Sequence, residues 1–138
     1  LNFKELKGIG CEGGELVVYG YQPVMVSSQC LWKNTSGCTH KSGISYLKDR
    51  FGKQFPVQSQ CGDCYNIIYN TSPLSLLHHL PEIRTLNPAG ARLSFTVESR
   101  EETEYVLACY RNAISSHTAN GEKYFEEYTN GHFTRGIE

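Results

Sequence analysis

The sequence predicts an α/β fold with a parallel sheet that is interrupted by a cysteine-rich insertion. The predicted elements follow one another as strand, excursion, helix, strand and helix, which is the order typical of α/β units. Roughly 70 residues separate the two predicted core strands, whereas one strand with its helix needs about 30. Four of the six cysteines lie in that gap. We therefore expect an insertion at about residues 28–70 within a domain that covers residues 1–120.

Composition places the chain among soluble globular proteins. Of its 138 residues, 39% are apolar and 20% are charged, which is typical of a domain with a hydrophobic core and argues against disorder. The net charge of -1 comes from interspersed signs, so composition alone gives no electrostatic footprint for nucleic acid or for an anionic membrane.

Targeting signals are equally sparse. No apolar stretch approaches the ~20 residues that a membrane-spanning helix needs, and the N-terminal segment lacks the apolar core of a signal peptide. We therefore expect a cytoplasmic location and no membrane partner. The abrupt start and end suggest that the chain is a piece of a longer protein.

The first predicted elements are strands. Leu16–Tyr19 is apolar on both faces and is closed by Gly20, which favours a buried parallel strand. Residues 46–57 form two short arms around Asp49-Arg50-Phe51-Gly52, the pattern of a β-hairpin. Tyr65–Tyr69 is a further apolar run, which we interpret as a strand.

A short helix is predicted after the insertion. Ser72 is a suitable N-cap, and Pro73 suits the first helical position. Pro81 would end this helix. Its apolar face would consist of Leu76, Leu77 and Leu80.

The clearest local signals follow. Leu93–Val97 alternates with a period of two, which predicts a strand. Ser99 and Glu102 form a capping box that begins an amphipathic helix running to about residue 116. Its predicted buried face consists of Val106, Cys109, Tyr110 and Ala113. Residues 121–138 are aromatic and polar without a period, and we interpret them as a linker or packing tail.

The strongest chemical signal is a set of four cysteines in the insertion. Cys61-Gly62-Asp63-Cys64 is a C-x-x-C pair, whose spacing allows two thiolates to bind one metal atom, with Gly62 relieving the tight turn. Cys30 and Cys38 enclose seven residues, a loop able to direct both thiols inward. Because the predicted hairpin returns the chain, Cys61 can come near Cys38. The four cysteines are therefore a candidate metal site.

Several alternatives stay open at this point. Four thiolates fit a tetrahedral zinc ion and a cubane iron-sulfur cluster equally well. A zinc ion that only staples the insertion is the noncatalytic version, and His40 could replace one cysteine in a Cys3His site. A thioredoxin-like pair fits less well, because that motif opens a helix directly after a strand. Disulfides in a secreted protein would agree with the sequons at Asn34 and Asn70.

The other candidate residues carry weaker signals. Cys109 is expected in the core, and Cys11 is expected as a surface thiol in a loop. Glu98 follows a predicted strand, and open parallel sheets bind ligands at that end; Arg92, at the start of the strand, is the second such candidate. The sequence contains no Walker, Rossmann, G-x-S-x-G or HExxH motif.

The order of the motifs resembles a known family. In order, the sequence contains ELVVYG, the cysteines at positions 30 and 38, YLKDRFGKQFPV, the 61–64 pair, NTSPLSLL, RLSFTVES and GHFTRG. This combination resembles the collagenase-like peptidases of unknown catalytic type, peptidase family U thirty-two. The similarity covers nearly the whole chain. It implies a C-terminal fragment of a TIM-like barrel, in which LVVY and RLSFT are late strands and the cysteine-rich insertion contains the hairpin.

The resemblance also implies a function. Members of this family were named for collagenolytic activity, but several are tied to hydroxylation of transfer RNA, ribosomal RNA or ubiquinone precursors, and these bind a [4Fe-4S] cluster through four cysteines. By resemblance, the ligands in this chain are Cys30, Cys38, Cys61 and Cys64. Hydroxylating members can place the last ligand much farther along the chain than it lies here.

The resemblance thus implies an iron-sulfur oxidoreductase that acts in hydroxylation of RNA. RNA would be a partner of the longer parent protein. Its catalytic residues are not identified in this sequence. A collagenase-like hydrolase with a peptide or collagen substrate, and a noncatalytic zinc-stapled module, are the alternatives. We expect the parent protein to be an enzyme and this fragment alone to be inactive.

Overall fold

The structure is a computed structural model, and it describes residues 1–38, 40–116 and 127–134. The chain divides into two compact units. The first unit consists of Leu1–Gly20 and Ser72–Glu138, and the second unit is the stretch Tyr21–Thr71 between them. The second unit encloses the insertion predicted at about residues 28–70.

The described residues form four α-helices, one 3₁₀ turn and seven strands. In chain order these are α1 (Phe3–Ile9), β1 (Glu15–Gly20), β2 (Pro23–Ser27), α2 (Leu31–Thr35), β3 (Gly43–Lys48), β4 (Gln54–Gln60), β5 (Tyr65–Tyr69), β6 (Leu74–Ser75), a 3₁₀ turn (Leu77–His79), α3 (Leu80–Thr85), β7 (Gly90–Ser94) and α4 (Arg100–Ser116).

The first unit contains a three-stranded sheet in the order β6-β1-β7. β1 and β7 run parallel, which confirms the parallel strand predicted at Leu16–Tyr19. The two strands approach closely at Gly20, which has φ +141°, and a Cβ there would lie 2.3 Å from the carbonyl oxygen of Ser94. Only glycine fits this position.

The second predicted core strand is displaced along the chain. It was expected at Leu93–Val97, whereas β7 spans Gly90–Ser94. The backbone N–H groups of Thr96 and Val97 donate to Oε2 of Glu98 at 2.7 and 3.0 Å. Because this carboxylate takes the donors that a strand would use, the chain leaves the sheet after Ser94.

Helix α4 agrees with the sequence prediction. Its capping box is present, because Ser99 N donates to Glu102 Oε2 at 2.7 Å and Glu102 N donates to Ser99 Oγ at 3.2 Å. Its predicted apolar face is buried in the core of the first unit. That core consists of Val18, Tyr19, Leu76, Leu77, Leu80, Ile83, Val106, Cys109, Tyr110, Ala113 and Phe133.

The helix predicted from Ser72 to Pro81 is wrong, although its three leucines are buried as expected. Leu74–Ser75 instead pairs antiparallel with β1, and Leu76 N donates to Val18 O at 2.9 Å. Pro81 lies in the first turn of α3, where its missing N–H leaves no hydrogen bond unmade. Pairing with a distant strand overrides the local helix signal here.

The second unit contains a four-stranded antiparallel sheet in the order β2-β5-β4-β3. The hairpin predicted within residues 46–57 is formed by β3 and β4, and the strand predicted at Tyr65–Tyr69 is β5. Few side chains of this unit are buried: Pro56, Val57, Ser59, Asn66 and Tyr69.

Neither sheet closes into a barrel within the described residues, so the TIM-like barrel fragment stays a prediction. Part of the predicted tail falls at residues 121–126 and 135–138, which lie outside the described residues. In its described part, Thr129 bridges to Leu74 and Phe133 is buried in the core. No helix among the described residues combines the length and apolar character needed to cross a membrane.

Candidate metal centre

All four candidate ligands belong to the second unit, where they lie in two loops. Cys61 and Cys64 are the ends of the four-residue turn between β4 and β5, whose last paired residues are Gln60 and Tyr65. Cys30 directly precedes α2, and Cys38 follows that helix after a short turn. Two of the thiols therefore lie in a hairpin turn, and the other two lie on either side of a one-turn helix in the sequence.

The turn that carries the C-x-x-C pair is shaped at Cys64. Cys64 has φ +55°, the left-handed conformation that non-glycine residues rarely adopt, whereas Gly62 has no positive φ. The sequence interpretation that Gly62 relieves the turn is therefore wrong. A second contact closes the turn, because the Cys64 thiol donates to the carbonyl oxygen of Cys61 at 3.7 Å.

The other loop is shaped at the end of α2. Ser36 N and Gly37 N both donate to Trp32 O, at 2.9 and 2.8 Å, and Gly37 has φ +93°. A left-handed glycine is a common way to end a helix. It releases the chain from the helix, so that Cys38 lies beyond the end of α2.

Two hydrogen bonds join the two loops. Cys61 N donates to Ser42 Oγ at 3.1 Å, and the Cys61 thiol donates to Lys41 O at 2.9 Å. Ser42 and Lys41 lie four and three residues after Cys38, so these bonds bring the Cys38 segment to the C-x-x-C turn. The sequence did not single out either residue.

A row of three polar residues, two of them buried, lies beside the same site. Asn66 on β5 is paired in register with Ser27 on β2 and Ser59 on β4. Ser59 Oγ donates to Asn66 Oδ1 at 2.9 Å, and Asn66 Nδ2 donates to the carbonyl oxygen of Gln29 at 2.6 Å. Gln29 immediately precedes Cys30, so this row connects Cys30 with the two strands that flank the C-x-x-C turn.

The electrostatics of Cys61 reflect all of its cysteine neighbours. Partial burial raises the pKa of the Cys61 thiol, and negative charge at Cys38, Cys30 and Cys64 raises that pKa further. Each of the other three thiols thus lies within electrostatic reach of Cys61. Gathering four thiolates here is unfavourable without a cation, and a bound metal would supply the compensating charge.

The donor set fits a thiophilic metal, although the side chains are not yet arranged around one. All six cysteines of the chain are free thiols. Among the described residues, no group of three or more His, Cys, Asp or Glu side chains is already placed to hold a metal ion. The Cys61 thiol faces a carbonyl oxygen instead. Metal binding would therefore require Cys61 to lose its proton and its hydrogen bond to Lys41.

The other candidates have separate surroundings. His40 is exposed and has φ +53°, and no hydrogen bond or ion pair ties it to the four thiols. Cys109 is in the core as predicted. Cys11 was expected at the surface, which is wrong: it is buried, and its thiol donates to Leu6 O at 3.5 Å, because the turn after α1 folds back on that helix.

The two charged candidates of the first unit are also accounted for. Arg92 forms an ion pair with Glu15 on the neighbouring strand β1. Oε2 of Glu98 caps the turn after β7, while Oε1 is buried without a hydrogen-bond partner in the described part of the chain. Neither residue lies in the unit that carries the four thiols.

Comparisons of the chain with protein-family models, with curated proteins and with solved structures found no match.

Proposed function

We propose that this chain is the metal-bearing part of an iron-sulfur oxidoreductase that acts in hydroxylation of RNA. In this proposal Cys30, Cys38, Cys61 and Cys64 hold a [4Fe-4S] cluster. The observation that carries it is that one small unit gathers four cysteines in two loops, which hydrogen bonds from Cys61 to Ser42 and Lys41 join. The family resemblance supports a cluster over a single ion.

The protein's own contribution is to hold and shield the ligands. A cluster held by four thiolates supplies one-electron transfer. The turn at Cys64 and the hydrogen bond from Cys61 N to Ser42 set the positions of the ligands, and partial burial of Cys61 limits contact with water. Cys38 and Cys64 are exposed, which leaves one side of the site accessible to a substrate or a redox partner.

Charge is divided unevenly between the two units, which supports an RNA partner. The second unit has five basic and two acidic side chains, a net charge of +3, so the rest of the chain carries -4 of the total of -1. The overall composition hides this separation. A basic unit attracts the phosphate backbone of a nucleic acid.

Exposed aromatic rings accompany this positive charge at the tip of the β3–β4 hairpin (residues 46–53), which we call the hairpin tip. Phe51 and Tyr46 are 75% and 58% exposed, and the guanidinium of Arg50 lies 4.6 Å from the centroid of the Phe51 ring. Lys48 and Lys53 are exposed beside them. Exposed rings interleaved with cations are suited to stacking single-stranded bases.

A zinc-stapled module is the second candidate, favoured by one observation. The C-x-x-C pair occupies a tight turn between two antiparallel strands, a setting that is also used by structural zinc sites. The collagenase-like peptidase, with a peptide or collagen substrate, rests on the family name, and no described contact favours it.

Analysis of cellular RNA tests the proposed activity. In a strain that lacks the full parent protein, RNA digested to nucleosides should lose a species one oxygen atom heavier than its precursor. Wild-type protein should restore that species, and a Cys61→Ser variant produced at the same level should not. An unchanged nucleoside profile after deletion would contradict the proposed function, as would full restoration by Cys61→Ser.

A further inference from the structure

Two members of the polar row beside the proposed metal site, Asn66 and Ser59, are almost completely buried. Asn66 and Ser59 are 1% and 2% exposed. Burying an amide and a hydroxyl is unfavourable unless their hydrogen bonds are made inside the protein. In a unit with so few buried side chains, this pair occupies interior space that apolar residues would otherwise fill.

Each polar atom of Asn66 has a specific use. Its carbonyl oxygen accepts from Ser59 Oγ, which leaves its Nδ2 group aimed at the backbone carbonyl of Gln29. The carbonyl oxygen of Gln29 fixes the orientation of the amide, because it can only accept and a flipped amide would place two oxygens against each other. Ser59 Oγ donates to the amide oxygen and holds it in place. Asn66 is thereby a rigid donor that reaches a loop 37 residues earlier in the chain.

The peptide before Cys30 is held on both sides. Gln29 N donates to Ser27 Oγ at 3.2 Å, while Gln29 O accepts from Asn66. Ser27 and Asn66 are neighbours in register on β2 and β5. The backbone that enters Cys30 is therefore attached to the middle of the sheet rather than left as a loop.

Two residues of the same row are also close in sequence to the C-x-x-C pair. Ser59 is two residues before Cys61, and Asn66 is two residues after Cys64. One hydrogen-bonded pair thus fixes the base of the C-x-x-C turn and the approach of Cys30 at the same time. Partners of this kind orient ligands in metal sites.

We infer that Asn66, held in place by Ser59, is a positioning residue that places Cys30 opposite the C-x-x-C pair. The inference rests on the proposed four-thiol metal site and adds to it a requirement outside the ligand set. Asn66 acts through the Gln29 peptide and does not bind the metal.

Cobalt binding by the complete chain tests this inference, since Co²⁺ is a coloured substitute for metals at thiolate sites. Asn66→Asp has nearly the same shape and can still accept from Ser59, but has no N–H for Gln29 O. We expect about 10- to 100-fold weaker Co²⁺ binding. We also expect the weaker thiolate-to-cobalt absorption of a three-thiolate complex, matching the spectrum of Cys30→Ser.

Two further variants separate positioning from folding. Ser59→Ala removes the hydroxyl that holds the amide in place and leaves Asn66 uncharged, so a smaller loss of affinity in the same direction is expected even if Asn66→Asp fails to fold. Tyr69→Phe is the matched control on the same strand: it removes the 2.8 Å hydrogen bond from Tyr69 to Gln58, and should leave Co²⁺ affinity and spectrum unchanged.

The outcomes distinguish failure of the inference from failure of the proposed site. Wild-type affinity and spectrum in both Asn66→Asp and Ser59→Ala would overturn the positioning role. Weaker binding with an unaltered four-thiolate spectrum would also overturn it, because Cys30 would still be in place. Absence of Co²⁺ binding by the wild-type chain would overturn the four-thiol site itself, and the positioning role with it.

Discussion

The two units of this chain are built on different principles. The first unit buries a continuous set of apolar side chains between α4 and a sheet with parallel strands. The second unit buries little apolar surface and leaves large apolar side chains exposed on its outer strands, among them Val24, Met25, Val26, Ile44 and Tyr46.

This difference assigns different roles to the units. A domain of about 60 residues already buries too little surface for more than marginal stability, and the range Tyr21–Thr71 is shorter than that. Small units of this kind usually depend on a metal or on disulfides. Since the six cysteines are free thiols, we expect the second unit to depend on the proposed metal, and the first unit to be stable through its core.

Removal of the metal should produce the largest effect. Structural zinc in small peptides contributes about 10–16 kcal/mol of binding free energy, which is folding free energy as well. After chelation we expect proteases to cleave within Tyr21–Thr71 while the first unit stays protected. Limited proteolysis followed by mass spectrometry locates the cuts. Equal protection of both units after verified metal removal would contradict the expectation that only the second unit depends on a metal.

A cavity in the apolar core should produce the next largest effect. Leu77 is 1% exposed, so Leu77→Ala should lower the free energy of unfolding of the first unit by about 2–5 kcal/mol. Bound metal should stay at the wild-type amount. Leu107, 42% exposed on α4, provides the matched control, and Leu107→Ala should change stability by less than about 1 kcal/mol. Denaturant unfolding measures both variants.

The pH dependence of the first unit provides a third test. Burial raises the pKa of Tyr110 to about 12, and its hydroxyl donates to Val18 O at 2.7 Å. The unfolded tyrosine ionises near pH 10, so the stabilisation is complete below about pH 10 and is lost as pH rises through about 12. Two pKa units correspond to about 2–3 kcal/mol.

Unfolding measured at pH 8 and pH 11.5 checks this expectation. The wild-type chain should lose more stability between these values than Tyr110→Phe, which lacks the ionising group. If both proteins lose the same free energy, Tyr110 is not the source of the alkaline sensitivity.

A substitution at the hairpin tip should hardly change the stability of the protein but should clearly weaken its binding to RNA. Phe51→Ala should change the free energy of unfolding by about 0.5 kcal/mol or less, because the ring is exposed. Loss of one stacked base should weaken binding of a single-stranded RNA by about tenfold. Fluorescence anisotropy at fixed salt measures the affinity.

The matched control for Phe51 lies in the acidic first unit. Ile9 is 71% exposed and belongs to the first unit, so Ile9→Ala removes a comparably exposed apolar side chain that is not part of the basic unit. We expect unchanged RNA affinity for this variant. A loss of RNA affinity as large as that of Phe51→Ala would count against a specific role of the hairpin tip.

Elements with strong local signals were predictable. The capping box at Ser99 sets the start of α4. The apolar run at Leu16–Tyr19 predicted the parallel strand β1 because both of its faces are apolar, although Val17 is 40% exposed in the structure. The segment from Ser72 to Pro81 was predicted wrongly, because its structure depends on pairing with β1, which is remote in sequence. Local propensity cannot report such a partner.

The candidate metal site also has features that the sequence predicted and features that it did not. The cysteines could be picked out from their spacing, whereas the left-handed conformation of Cys64 and the contact of Cys61 with Ser42 arise from how two loops meet. Asn66 did leave a signal, an amide inside the apolar run Tyr65–Tyr69. Its partners Ser59 and Gln29 depend on strand register, which no local pattern gives.

The most direct test is the metal content of the chain purified without oxygen, measured as iron, acid-labile sulfide and zinc. We expect about four irons and four sulfides per chain, with cluster loss in Cys61→Ser. Stoichiometric zinc without iron would contradict the cluster and leave a stapled module. Absence of any bound metal would contradict the four-thiol site itself.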